Sequence, residues 1–209
     1  EEGNRLRVST PDTAYICEHV IFAAPLMLAR YLLEKAPVVT TEYSPWVTAN
    51  ISLHRMPRER GLDLAWDNVI YDSTSLGYVA ATHMTLGSRV DRSVWTWYTA
   101  LTHGRPAAMR TELLTQTWDH WRDTILADLS RPHPDIRDCV SRIEVMRIGH
   151  AMARPTPGSI FSEARARLAM PHGRIHFAHS DVSGFSVFEE AQYRGVEAAD
   201  RTMRLLSKG

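Results

Sequence analysis

Lysine is nearly absent: of the 24 Lys and Arg residues, only Lys35 and Lys208 are lysines. The arginines that replace them can hold carboxylates and phosphates through two parallel hydrogen bonds, where a lysine offers a point charge. A net charge is lacking too, because 24 acidic residues balance the 24 basic ones. With no basic excess there is no global field to gather nucleic acid or an anionic membrane, and neither partner is expected. Cys17 and Cys139 are the only cysteines and form no Cys-x-x-Cys pair, which excludes a disulfide framework or a zinc ribbon. That usage fits a reducing compartment, so a cytoplasmic location is expected. No run approaches the ~20 apolar residues that span a bilayer. The first residues, Glu1-Glu2-Gly3-Asn4, have neither the basic start nor the apolar stretch of a signal peptide, and no initiator Met. The visible start is therefore expected to differ from the natural one.

What is present suits a globular chain. Its 209 residues are 44% hydrophobic and 23% charged, enough to bury a core in one domain or two small ones. Residues 5–10 and 15–24 read as short strands, and Pro25 can open a helix carrying Leu26, Leu28, Leu32 and Leu33 towards Lys35. After a Pro- and Thr-rich connector at 36–45, segments 46–56, 68–72, 78–84 and 93–101 read as strands separated by Gly-containing turns. The last of these carries Trp95 and Trp97 on one face and Tyr98 on the other, which predicts cover on both sides. Pro106 opens a predicted long helix to about Leu129, with Leu114, Trp118, Trp121, Ile125 and Leu129 on one stripe. A strand at 141–150 and a short helix at 159–168 follow.

The final forty residues carry the chemistry. A strand at 174–178 leads into His179-Ser180-Asp181-Val182-Ser183-Gly184 and then a helix from about Val187 to Leu206. Ser186 and Glu189 have the spacing of a capping box. A helix N-terminus presents unpaired N–H groups and partial positive charge, which attract phosphate or an electron-rich ring edge. Asp181 is placed to accept hydrogen bonds from ribose-like hydroxyls, or to satisfy local backbone. Small residues Ala191, Gly195, Ala198 and Ala199 let this helix lie close against a sheet or a flat ligand.

Gly173-Arg174-Ile175-His176-Phe177-Ala178, its polar loop, and the helix from Glu190 to Ala199 resemble the C-terminal signature of the flavin-containing amine oxidoreductases. Leu6-Arg7-Val8, Val20-Ile21 and Ala23-Ala24-Pro25 look like that family's return to its FAD domain, and the β-rich middle looks like its substrate domain. The order of strands and helices reads as an α+β chain, and the resemblance implies how it divides. Residues 1–35 would be the end of an FAD-binding domain, 36–150 a mixed-sheet substrate domain with a long helix, and 151–209 a returning strand-loop-helix piece. It implies FAD as cofactor and hydride transfer from a small-molecule substrate to flavin. Asp181 or Ser180 would bind the ribityl or pyrophosphate region, and backbone N–H groups near Val187, Phe188 and Glu189 the pyrimidine end. His150 would bind substrate or move a proton, and Thr48, Asn50, His83 and Tyr98 would line the pocket.

Two departures qualify what the resemblance implies. No Gly-x-Gly-x-x-Gly follows a strand, so most of the FAD grip is expected from an N-terminal segment that this chain lacks. Val47-Thr48-Ala49-Asn50 also has no Lys where many amine oxidases place one, which leaves desaturase or other dehydrogenase chemistry open. Two readings of other classes remain: a non-catalytic interaction domain derived from the fold, and a metal-dependent hydrolase using His172, His176, His179 and Asp181. Against the second, His176 and His179 would point to opposite faces of a strand, so no metal is expected. The exposed edge of the opening hairpin predicts self-association of the isolated chain.

Overall fold

A computed structural model describes residues 5–35, 37, 41–58, 60–61, 63–84 and 90–207. In chain order the strands are β1 (Leu6–Ser9), β2 (Ala14–Cys17), β3 (Val20–Phe22), β4 (Glu42–Leu53), β5 (Asp67–Asn68), β6 (Gly77–Ala80), β7 (Ser93–Ala100), β8 (Val140–Arg154) and β9 (Ile175–Phe177). The helices are α1 (Ala29–Leu32), α2 (Pro106–Thr115), α3 (Trp118–Leu129), α4 (Glu163–Leu168) and α5 (Phe188–Leu206). The fold is α+β, in two compact units: Tyr43–Ala151, and Glu1–Glu42 with Met152–Gly209.

The unit Tyr43–Ala151 is built on a five-stranded sheet in the order β5-β6-β7-β4-β8. Alternation decides its faces. Val47, Ala49, Ile51 and Leu53 of β4 are buried, and so are Trp95 and Trp97 of β7, which pair with Ile51 and Ala49. Met109 and Leu113 from α2, and Trp121, Ile125 and Leu129 from α3, complete that core. Each large side chain so buried contributes about 1.5–3 kcal/mol relative to exposure. Gly77 is required where β6 begins: its φ is +99°, and a Cβ would lie 2.0 Å from the Asn68 carbonyl oxygen.

Several expectations need correction. The long helix is two helices, because Gln116 and Thr117 are extended and the Thr117 hydroxyl accepts the His120 N–H at 3.2 Å. This N-cap restarts the helical phase. Leu113 therefore enters the core, while Leu114 and Trp118 are exposed. The far face of β7 is not closed: Val94 is exposed, and Thr96 and Tyr98 are half-buried. β4 starts at Glu42 rather than 46 and passes through Pro45, whose carbonyl accepts from Leu101. The strand expected at 68–72 shrinks to two residues, since the chain turns at Asp72 with φ 56°.

In the other unit the strand expected at 15–24 is broken. β2 pairs antiparallel with β1, whereas β3 pairs parallel with β9, Phe22 beside Phe177. Phe22, Leu26, Ala29, Leu168, Phe177 and Val182 form its core. The capping box does not form. Val187 is the N-cap of α5 and makes no side-chain bond, while Ser186 Oγ accepts from the Ala153 N–H at 2.7 Å. No described helix is long and apolar enough to cross a membrane.

Candidate functional site

Two arrangements of polar and aromatic groups stand out, one in each unit. The first is the face of the β4–β7 ladder opposite the core. Pairing sets Thr48 beside Tyr98 and Asn50 beside Thr96, and the period of two sends all four side chains to one side. Trp46 joins them: its ring is parallel to Tyr98 within 6°, with centroids 6.3 Å apart. Thr96 Oγ1 donates to Asn50 Oδ1 at 2.9 Å. Tyr98 O–H donates to Asp67 Oδ1 at 3.0 Å, and burial followed by this bond to Asp67 raises the Tyr98 pKa. The face thus offers a stacked aromatic pair beside hydroxyls, an amide and a carboxylate, groups that can orient a small polar molecule without performing chemistry themselves.

His150 lies on β8, next to β4, with its exposed ring 6.0 Å from that of Tyr43 in an edge-on arrangement. His83 belongs to the 3-10 turn Ala81–Met84, and its side chain is outside the described residues. Trp46 and Thr96 share the face with the sequence candidates Thr48, Asn50 and Tyr98, and Asp67 borders it through its bond with Tyr98. The i, i+2 spacing of Trp46, Thr48 and Asn50 along β4 is the sequence signal for the first.

The second arrangement is the corner between β9 and α5. Ser180, Asp181 and Val182 form a buried 3-10 turn. Asp181 is 1% exposed and its carboxylate turns inward: Oδ2 accepts the Leu26 N–H at 2.9 Å. That donor is one of the orphan N–H groups where the chain starts to coil after Pro25, so Asp181 clamps two chain segments together. His179 Nδ1 lies 3.2 Å from the same oxygen. Ser183 Oγ accepts from Arg194 Nε at 2.8 Å, and Arg194 in turn pairs with Glu197. Val187, Phe188 and Glu189 are exposed at the start of α5.

The histidines of the tail separate. His176 is buried and approaches His19, with Nε2 and Nδ1 3.1 Å apart, while His179 faces Asp181. Burial, then His19, then Arg201 depress the His176 pKa, so its ring is held neutral. Among the described residues no three or more His, Cys, Asp or Glu side chains come together as a metal site would require.

The fold has counterparts among solved structures. It is similar to that of a cyclohexylamine oxidase from Brevibacterium oxydans IH-35A, with a TM-score of 0.70 at 12% identity over 98% of this chain and 46% of that one. It is also similar to a putrescine oxidase solved with putrescine bound, with a TM-score of 0.64 at 18% identity over 90% of this chain and 43% of that one. The chain thus spans less than half the length of these structures. No protein-family model and no curated protein matches the sequence.

Proposed function

We propose that this chain is the C-terminal, substrate-side part of an FAD-dependent oxidoreductase of the amine-oxidase type. The observation that carries the reading is the open sheet face, where Trp46, Thr48, Asn50, Thr96 and Tyr98 lie together on a fold similar to two amine-acting oxidases. FAD, when bound, would supply the acceptor for a hydride taken from a C–N or C–C bond. The sheet face would orient the substrate, and His150 would bind it or move a proton.

The fit to FAD divides between the two sides of the β9–α5 corner. The start of α5 suits it, because its N-cap carries no side-chain bond and its first-turn backbone N–H groups are aligned with the helix dipole. Residues Val187, Phe188 and Glu189 would face the pyrimidine end there. The carboxylate of Asp181 does not suit direct contact with the cofactor, since it is 1% exposed and holds the Leu26 N–H, and Asp181 with Ser180 would position the corner instead. The remaining grip, including the pyrophosphate turn, would come from a further polypeptide segment. The inward Asp181 also favours the second reading, an interaction domain that kept the fold and lost the cofactor.

Purifying this chain as part of its complete polypeptide separates the two. A yellow product with flavin in stoichiometric amount is expected, and Trp46→Ala or Asn50→Ala should lower kcat/KM for substrate while flavin content stays the same. A colourless product from the complete polypeptide would overturn the enzymatic reading in favour of the interaction domain.

A further inference from the structure

Inside the core of the unit Tyr43–Ala151 sits a group that the proposed substrate face does not use. The phenolic oxygen of Tyr78, on β6, lies 2.5 Å from His133 Nε2, a hydrogen-bond distance. Trp95 stacks on Tyr78 with centroids 4.6 Å apart and an interplanar angle of 22°. Its ring is also 4.9 Å from His133, so the three rings form one cluster. Trp95 and Tyr78 are buried at 0% and 3% exposure.

The protonation states follow from the surroundings. Burial raises the Tyr78 pKa to about 12, which keeps it a phenol. Burial lowers that of His133, with Asp135 opposing, which keeps the ring neutral. The phenol, kept protonated, has no other acceptor among the described residues, so its O–H is directed at Nε2; the one proton of the neutral ring then sits on Nδ1, an atom with no hydrogen-bond partner among the described residues. A phenol donating to a neutral imidazole is a proton donor already in contact with its base. The stacked indole of Trp95 gives the same phenol a route for an electron.

We propose that Tyr78 and His133 form a proton-coupled redox site, with Trp95 as the ring through which an electron leaves Tyr78. A one-electron oxidant, such as a trivalent ruthenium polypyridyl complex, takes one electron from Trp95 and is itself reduced. Trp95 becomes an indole radical cation. Tyr78 then returns one electron to Trp95 while its phenolic proton crosses to His133 Nε2. The O–H bond of Tyr78 breaks and an N–H bond forms on His133. Trp95 is restored, Tyr78 is left as a neutral phenoxyl radical, and the single positive charge resides on the His133 imidazolium. Burial disfavours that charge, and Asp135 offsets part of the cost.

The neighbouring indole is wired differently. Trp97 is the cross-strand partner of Tyr78, but its N–H is committed to the carboxylate of Asp128 at 2.8 Å. Trp95 Nε1 has no partner among the described residues. With no proton acceptor at Trp95, its radical cation keeps its charge until Tyr78 reduces it, and the electron hole comes to rest on the phenol that has a base.

The test places the oxidant beside His133. A ruthenium polypyridyl sensitiser is attached at Pro134→Cys, an exposed position, in a Cys17→Ser background. A laser flash with a sacrificial electron acceptor then generates the trivalent metal. The expected product is a tyrosyl radical, seen by transient absorption and electron paramagnetic resonance, that forms more slowly in deuterium oxide. Tyr78→Phe keeps the stacked ring and should abolish that signal, leaving a longer-lived tryptophan radical. His133→Gln keeps an acceptor but removes the base, and should slow tyrosyl formation on the order of a hundredfold, the lower end of what a positioned proton acceptor contributes. If His133→Gln does not fold, the deuterium effect on the parent carries the same information. A tyrosyl signal that survives Tyr78→Phe, no tyrosyl radical in the parent, or formation indifferent to deuterium and to His133→Gln would each overturn the proposal.

Discussion

The indole N–H of Trp97 donates to Asp128 Oδ2 at 2.8 Å, and that bond ties the central strand β7 to α3. The same carboxylate accepts from the hydroxyls of Ser73 and Ser75, each at 2.6 Å, and lies 3.7 Å from Arg131. At 11% side-chain exposure Asp128 is a nearly buried charge that accepts three hydrogen bonds. Such a group is tolerated because its partners replace the water it gave up, and it becomes costly once one partner is lost.

Asp128→Asn leaves one carbonyl oxygen for three donors, so at least one buried donor loses its acceptor. We expect a cost of about 1–3 kcal/mol, read as a lower urea midpoint with little change in slope. Asp119→Asn, on the exposed side of the same helix, should leave the midpoint nearly unchanged. Equal midpoints for both variants would show that the Asp128 bonds add nothing to stability.

Gly77→Ala should fail more severely. The new Cβ would meet backbone, the Asn68 carbonyl 2.0 Å away, in a conformation with φ +99° that L residues rarely adopt. Gly61, which also has positive φ but nothing within 4 Å, provides the comparison: Gly61→Ala should cost only the strain of its φ. Native-like yield and near-ultraviolet circular dichroism of the two variants give the answer.

Thr117→Ala should lower stability by about 1 kcal/mol, the usual cost of losing a side-chain N-cap. Thr117→Asp should recover most of it, since a carboxylate accepts the same N–H and favours the positive end of α3. Recovery by Asp, measured by thermal unfolding, is what distinguishes a cap from simple packing.

Stability should fall on both sides of neutrality for assigned reasons. His133 and His176 have depressed pKa values, mainly through burial. The unfolded chain then takes up their protons first, so their contribution is complete above about pH 6.5 and is lost as pH falls through the folded values. Tyr78 behaves oppositely. Burial raises it to about 12, so its contribution is complete below about pH 10 and is lost as pH rises from there. Urea midpoints across pH should show a flatter acid limb in His176→Gln. A spectrophotometric titration of Tyr78→Phe should lose the last phenol to ionise.

Periodicity was readable where it is local. Residues 93–101 alternate so strongly that β7 is found as Ser93–Ala100, and the apolar spacing from Trp121 to Leu129 marks the buried stripe of α3. The break between α2 and α3 was hidden because Leu114 and Trp118 continue the stripe by spacing alone, and only the extended backbone at Gln116 and Thr117 resets it. Ser186 shows the converse. Its spacing to Glu189 fits a cap, yet its hydroxyl is used by Ala153, 33 residues away.

The sequence by itself determined the α+β character, the face that Trp46, Thr48 and Asn50 share on a strand, and the absence of a net charge that would draw nucleic acid. These depend on side-chain type and on dihedral preferences acting over a few residues. Tertiary structure alone decided that β3 would pair with β9, that Asp181 would turn inward to Leu26 across 155 positions, and that His133 would meet Tyr78 across 55. Those contacts join segments whose local patterns carry no record of each other, and they form only because burying two remote apolar surfaces together brings the polar groups along.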